Sequence, residues 1–148
     1  MVLDDQTFIS HSHAETQAFG EKLASQLNPG DLLAFYGDLG SGKTCMIQGI
    51  CRGLKIDDQV TSPTFILINE YEGQCATGPV PIYHFDLYRL TAAELEDLGA
   101  EEYFYGRGIC LVEWADRATD LLPPQHHQVL LEYLADNQRH ITLRRQTP

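Results

Sequence analysis

The fold is decided by DLLAFYGDLGSGKT, residues 31–44, in which a short apolar run leads directly into a glycine-rich loop. The loop, Gly37 to Thr44, matches G-x-x-x-x-G-K-[ST] at every fixed position, and residues 43–54 after it have a helical pattern. Glycines in such a loop let successive backbone N–H groups point at phosphate oxygens, and the helix N-terminus adds a partial positive charge. The stretch therefore predicts a phosphate-binding loop between a strand and a helix.

The side chains of this loop indicate a nucleotide held with Mg²⁺. Lys43 supplies a cation for the β- and γ-phosphates, and Thr44 supplies a hydroxyl for the metal. The alternative is a strand–helix turn that binds no nucleotide. The sequence contains neither N-K-x-D nor D-x-x-G, the strings typical of Ras-type GTPases, which favours ATP. The residues expected to line the phosphate and first-turn part of the site are Gly37, Asp38, Leu39, Gly40, Ser41, Gly42, Lys43, Thr44 and Cys45.

Two acidic residues end other apolar runs. Glu113 follows Ile109 to Val112, and a carboxylate in that position can support Mg²⁺ beside the phosphates. Asp86 ends the run that begins at Ile82, and it could hold the metal, orient water or accept a proton. A solvent-facing acid at Glu113 and a salt bridge from Asp86 to Arg89 are the structural alternatives. Lys43, Asp86 and Glu113 are thus the candidate catalytic residues, and Thr44, Asp86 and Glu113 the candidate metal ligands.

The rest of the chain predicts an α/β fold of three layers, a P-loop NTPase with a mixed central sheet, parallel at its core and ending in an antiparallel hairpin. We expect one domain, residues 1–148. A capping box at Ser12 and Glu15 should begin the first helix. The expected helices are residues 14–27, 43–54 and 90–105, and the expected strands are 31–36, 64–68, 82–85, 109–112, 128–134 and 140–144. Residues 73–81 are expected to form a short Pro/Gly-rich connection.

Charge and composition limit the partners. The chain has 21 acidic and 10 basic residues, a net charge of −11, which disfavours direct tight binding of RNA or DNA. The N-terminus lacks a signal peptide's basic and apolar regions, and no apolar run reaches membrane-spanning length, so a cytoplasmic protein is expected. The four cysteines contain no C-x-x-C pair and should be reduced. The histidine pairs His11/His13 and His126/His127 lack matching ligands for zinc, and we interpret them as surface residues.

Four segments together resemble a known family. Besides the loop, they are T-S-P-T-F at Thr61 to Phe65, H-F-D-L-Y-R at His84 to Arg89, and V-E-W at Val112 to Trp114. In this order and spacing they are similar to the TsaE (YjeE) ATPases of bacterial tRNA threonylcarbamoyladenosine synthesis. The resemblance covers the chain from about Ser12 to Arg139.

The resemblance implies a protein that binds and slowly hydrolyses ATP while working with the transferase TsaD and its paralogue TsaB. It implies that Asp86 is a catalytic or metal-supporting acid and that Thr61 to Thr64 form a switch-like segment, although a plain turn remains an alternative there. The family's N-terminal segment and last hairpin surround the base, which points to Ser12 and Arg139 as adenine contacts. Trp114 either packs in the core or lies by the nucleotide or a partner.

Two other functions remain open. A small-molecule kinase uses the same loop, but it needs an arginine-bearing lid, and Arg107 and Arg117 are isolated. A binding module that responds to ATP without turnover is the third class. The presence of both Asp86 and Glu113 favours hydrolysis over that module.

Overall fold

The computed structural model describes residues 5–37, 42–56, 68–88 and 90–146. Asp38 to Ser41 of the loop, the segment Thr61 to Phe65 with its expected strand, and Arg89 lie outside these residues. The remaining predicted elements can be compared directly with the structure.

The described part of the chain contains seven strands, four α-helices and one 3-10 segment. The strands are β1 (Gln6–Ser10), β2 (Leu32–Tyr36), β3 (Ile68–Cys75), β4 (Gly78–Asp86), β5 (Ile109–Glu113), β6 (His126–Ala135) and β7 (Gln138–Gln146). The helices are α1 (His13–Ala24), α2 (Lys43–Gly53), α3 (Ala92–Asp97) and α4 (Ala100–Phe104), followed by a 3-10 segment, Ala115–Leu121. Ser12 caps α1 by accepting a hydrogen bond from the Glu15 N–H, as the capping box predicts.

The strands form one sheet in the order β1-β7-β6-β2-β5-β4-β3. Strands β6, β2, β5 and β4 are parallel, whereas β7, β1 and β3 pair antiparallel at the two sides. The predicted mixed sheet with a parallel centre and an antiparallel final hairpin is confirmed. Asn137, with φ of 62°, lies in the turn of that hairpin.

Three details differ from the prediction. Strand β1 was not predicted. It pairs with β7 and forms one edge strand of the sheet. The expected connection at residues 73–81 is instead the centre of a second hairpin, because Gly73 and Pro81 lie within β3 and β4. The expected helix at residues 90–105 is two short helices, since Gly99 between them has a left-handed backbone with φ of 72°.

Helices cover both faces of the sheet and enclose two apolar clusters. One cluster joins α1 and α2 to the sheet through buried residues such as Leu23, Ile47 and Leu111. The other joins α3, α4 and the 3-10 segment to the opposite face through residues such as Leu95 and Val112. The expected three layers are therefore present. No helix in the described part of the chain is long and apolar enough to cross a membrane.

Helices α1 and α2 approach each other at glycines. A Cβ atom added to Gly49 of α2 would lie 2.1 Å from the Gln17 carbonyl oxygen of α1. Gly20 of α1 approaches α2 in the same way, with a Cβ 2.5 Å from the Met46 carbonyl oxygen. Side chains at these positions would force the two backbones apart. The close contact fixes where α2, and hence the loop before it, lies relative to α1.

Gly49→Ala is predicted to destabilise the protein, although alanine favours a helix over glycine by about 1 kcal/mol. The added methyl group must displace the Gln17 backbone, and overpacking of this kind costs about 1–3 kcal/mol or more. Chemical denaturation measures the difference. Arg52→Ala is the control on the same helix, because its side chain is 60% exposed and should change stability by at most about 0.5 kcal/mol. A Gly49→Ala protein as stable as wild type would contradict the tight contact.

Candidate functional site

The start of α2 carries the cation predicted from the loop. Gly42, at the N-cap of α2, has φ of 102°, a conformation that a residue with a Cβ rarely adopts. Lys43 follows and is buried, with 5% of its surface exposed. Its Nζ donates a hydrogen bond to the Gly37 carbonyl oxygen and lies 3.6 Å from the centroid of the Trp114 ring. Contacts with the Gly37 backbone and the Trp114 ring therefore hold the Lys43 ammonium beside the first residue of the loop.

Thr44 and Glu113 lie side by side, as the sequence predicts for metal ligands. The Thr44 hydroxyl donates a hydrogen bond to Glu113 Oε1 at 3.2 Å. Glu113 is only 3% exposed, so the alternative of a solvent-facing acid is wrong. Its other oxygen, Oε2, lies 2.7 Å from His84 Nε2. A chain of contacts thus runs from α2 across the end of β5 to β4.

Asp86 ends β4 directly beside Glu113, because the two residues are partners in the parallel register of β4 and β5. Burial raises the pKa of Asp86 above its usual range, and the Glu113 carboxylate adds to this effect. The Tyr88 N–H donates a hydrogen bond to Asp86 Oδ1 at 3.0 Å, which lowers the Asp86 pKa. Electrostatic interactions with His84 and Lys43 lower this pKa as well. Asp86 is therefore a half-buried acid within the electrostatic reach of Lys43.

The two residues expected near the base flank the same end of α2. Arg139 is 9% exposed, and its Nε would lie 3.9 Å from a Cβ on Gly42. Its guanidinium carbon is 4.8 Å from the centroid of the Tyr133 ring. On the α1 side, Cys45 Sγ donates to the His13 carbonyl oxygen at 3.3 Å, which places α2 next to the residue that follows Ser12. The capping role of Ser12 is shown, and its contact with adenine stays a prediction.

The oxygen atoms of Thr44 and Glu113 suit Mg²⁺ better than they suit a metal ion that is coordinated by protein side chains alone. No group of three His, Cys, Asp or Glu side chains suited to a metal occurs in the described residues. Mg²⁺ does not need such a group, because it keeps several waters and binds one or two carboxylates together with substrate phosphates. A hydroxyl at Thr44 and a carboxylate at Glu113, 3.2 Å apart at the start of α2, are of that kind. Asp86 is the nearest further carboxylate on the neighbouring strand.

Sequence reasoning gave no role to His84 and was wrong about His127. His84 is completely buried against Glu113, and His127 is 8% exposed, so the interpretation of the latter as a surface residue is incorrect. His127 lies near the start of β6, where burial lowers its pKa. A signal for His84 did exist: a strand has a period of two residues, which puts His84 on the same face as Asp86.

Trp114 is half-buried at φ of 57°, and its ring contacts the Lys43 cation.

Comparison with known proteins decides the family. A family model described as "Threonylcarbamoyl adenosine biosynthesis protein TsaE" matches residues 10–141. The chain belongs to the TsaE family. This family is involved in the biosynthesis of threonylcarbamoyladenosine in tRNA, and its fold is of the P-loop NTPase type.

Individual TsaE relatives match over most of their length. The tRNA threonylcarbamoyladenosine biosynthesis protein TsaE of Bacillus subtilis is 44% identical over 128 residues, covering 86% of this chain and 78% of the relative. Its counterpart in Treponema pallidum is 38% identical over 136 residues, covering 91% of this chain and 97% of the relative. The crystal structure of YdiB from Bacillus subtilis has a TM-score of 0.80 at 34% identity and covers 100% of this chain and 89% of that one. The resemblance to TsaE and the α/β fold are thus confirmed.

Asp86→Asn is predicted to increase the stability of the metal-free protein at pH 7. The folded-state pKa of Asp86 is raised, so the folded protein binds this proton more tightly than the unfolded chain does. Stability from this group therefore falls as the pH rises from about 4 through the raised pKa, and at pH 7 the penalty for a half-buried charge has reached its limit. Asparagine removes the charge and keeps an acceptor for the Tyr88 N–H.

Thermal denaturation at pH 7 and at pH 4 to 5 measures this effect, and the gain should shrink at the lower pH. Asp120→Asn is the control, because Asp120 is exposed and the same charge is removed. A lower melting temperature for Asp86→Asn than for wild type at pH 7 would show that the carboxylate stabilises the fold.

Proposed function

We propose that this protein binds ATP with Mg²⁺ and hydrolyses it slowly, and that it thereby supports the threonylcarbamoyl modification of the adenosine next to the anticodon of tRNA. The observation that carries the proposal is the hydrogen bond from Thr44 to Glu113 at the start of α2. It joins the hydroxyl of the phosphate loop to the acid of a neighbouring strand, beside the Lys43 cation. Membership of the TsaE family supports the biological role.

Lys43 and the start of α2 would bind the phosphates. The Lys43 ammonium is already buried at the loop, so it can exchange the Gly37 carbonyl for phosphate oxygens with a small movement of its flexible side chain. The backbone N–H groups of the loop and of the first turn of α2 add donors without a full positive charge. Local donors are required because the net charge of −11 repels phosphate at long range.

Thr44 and Glu113 would hold the metal, with Asp86 beside them. When bound, Mg²⁺ supplies positive charge that offsets the negative charge on the phosphate oxygens. Thr44 Oγ1 and Glu113 Oε1 lie 3.2 Å apart, which supports the proposal that one ion binds both oxygens. Asp86, with its raised pKa, is suited to orient a water or to accept its proton, and it can also add a metal ligand. Ser12 and Arg139 would contact the adenine.

The proposed partners are TsaB and TsaD in the cytoplasm, and the action on tRNA is indirect. A net charge of −11 disfavours contact with phosphate backbones, so the protein is better suited to bind a protein complex than tRNA itself. The ATP cycle would regulate or reset the TsaB–TsaD transferase. The segment Thr61 to Phe65, which lies outside the described residues, is the proposed sensor of the γ-phosphate.

Lys43→Ala is predicted to weaken Mg-ATP binding by about 100-fold or more, equivalent to about 2.8 kcal/mol. The reason is that the mutation removes the buried cation at the phosphate loop while the acids beside it remain. Isothermal titration calorimetry measures the affinity. Lys22→Ala is the matched control, since it removes the same charge from an exposed position on α1. Equal loss in both variants would mean that net charge and not the position of Lys43 controls binding.

The affinity for the TsaB–TsaD pair is predicted to differ by about tenfold between the ATP and ADP states, which corresponds to about 1.4 kcal/mol of coupling. Loss of the γ-phosphate removes charge and metal contacts from the site, and a segment that responds to them would change the binding surface. A titration with ADP, ATP and a non-hydrolysable analogue measures the effect, and Lys43→Ala should abolish the difference. Equal affinities, together with tight binding of tRNA by this chain alone at physiological salt, would contradict the proposed function.

A further inference from the structure

The contact between His84 and Glu113 has no role in the function proposed above. His84 lies on β4 opposite Leu111 of β5, so Glu113, two residues further along β5, is its diagonal neighbour on the same face. The two side chains meet at 2.7 Å between His84 Nε2 and Glu113 Oε2. Both residues are buried, His84 completely and Glu113 with 3% exposed. The contact is therefore shielded from water.

The available hydrogen-bond partners indicate which nitrogen of the His84 ring donates to Glu113. His84 Nδ1 is buried and has no hydrogen-bond partner among the described residues. A buried N–H without an acceptor is costly, whereas a neutral imidazole has only one N–H. A proton on Nε2 can be donated to Glu113 Oε2, because an ionised carboxylate only accepts hydrogen bonds. The ring thus donates to the carboxylate.

We propose that His84 is a positioning residue that holds the Glu113 carboxylate in the orientation needed for the metal. With Oε2 engaged by His84, the carboxylate cannot rotate freely, and Oε1 is directed at Thr44 Oγ1. Partners behind a metal ligand commonly orient it, and their loss lowers metal affinity or activity by about 10- to 100-fold. This inference rests on the proposed function, because it concerns the same Mg²⁺ site.

Stability alone does not account for the pair. Burying a carboxylate and an imidazole costs hydration, and apolar residues of similar volume often serve a core equally well. The surroundings on this face include buried apolar side chains such as Ile82 and Leu111, so an apolar pair in place of both His84 and Glu113 would be compatible with the core. A polar residue at position 84 is explained by what it does to Glu113.

The test compares His84→Leu with His84→Gln, which keeps an amide N–H at a similar reach. Mn²⁺ serves as the probe, and its affinity for the ADP-bound protein is measured by electron paramagnetic resonance. We expect His84→Leu to weaken Mn²⁺ binding about 10- to 100-fold and His84→Gln to restore most of it. The affinity for ADP in EDTA should be unchanged in both variants. General damage to the fold would lower both affinities. His127→Leu, which removes another buried histidine near the start of β6, is the control and should bind Mn²⁺ normally.

A double-mutant cycle with Glu113→Gln shows whether His84 acts through Glu113. In the Glu113→Gln background, His84→Leu should cause little further loss of Mn²⁺ affinity, because the ligand it orients is already altered. Nitrogen-15 NMR of the wild-type protein should show the His84 proton on Nε2. Wild-type Mn²⁺ affinity in His84→Leu would overturn the inference. If His84→Leu does not fold, His84→Asn takes its place in the test, because the asparagine amide is too short to reach Glu113. Equal Mn²⁺ affinities of His84→Asn and His84→Gln would then overturn the inference.

The outcomes also separate this inference from the proposed function. If the wild-type protein binds neither ADP nor Mn²⁺, the proposed function fails and the inference fails with it. If it binds both, hydrolyses ATP and is insensitive to His84 substitution, only the positioning role is rejected.

Discussion

The parallel pairing of β2, β5 and β4 is the constraint on which the candidate site depends. It places Phe35 beside Glu113 and Glu113 beside Asp86, so three strands end in one row. The carboxyl ends of parallel strands are where ligands bind in open α/β sheets. Because β2 leads into the loop and α2, the start of that helix faces the same row. Residues that are 69 positions apart, Thr44 and Glu113, meet there.

Local patterns were enough to predict the parts of the site that lie within one segment. The loop motif pointed to Lys43 and Thr44, and an acid at the end of an apolar run pointed to Glu113 and Asp86; the structure brings these residues together, and their roles stay predictions. These rules work because strand ends and helix starts have short sequence signatures. The parallel centre of the sheet followed from the alternation of strand and helix, and the final hairpin from its turn residues.

The features that were missed depend on contacts between distant segments. The pairing of His84 with Glu113 requires the register of β4 against β5, which neither strand encodes alone. Strand β1 has three exposed residues, Gln6, Thr7 and Ile9, and its pairing with β7 joins opposite ends of the chain. The break at Gly99 was obscured by good helix formers on both sides. Burial of His127 likewise depends on tertiary packing, since a histidine at the start of a strand is compatible with solvent.

The glycine contact between α1 and α2 also limits how this molecule can change shape. Gly20 and Gly49 leave no space for a Cβ atom between the two backbones, so moving either helix closer to the other would cause a clash. This close packing opposes an approach of the two helices, whose starts lie at Ser12 and Lys43. We therefore expect a conformational change at the proposed site to involve side chains such as Lys43 and segments outside this helix pair.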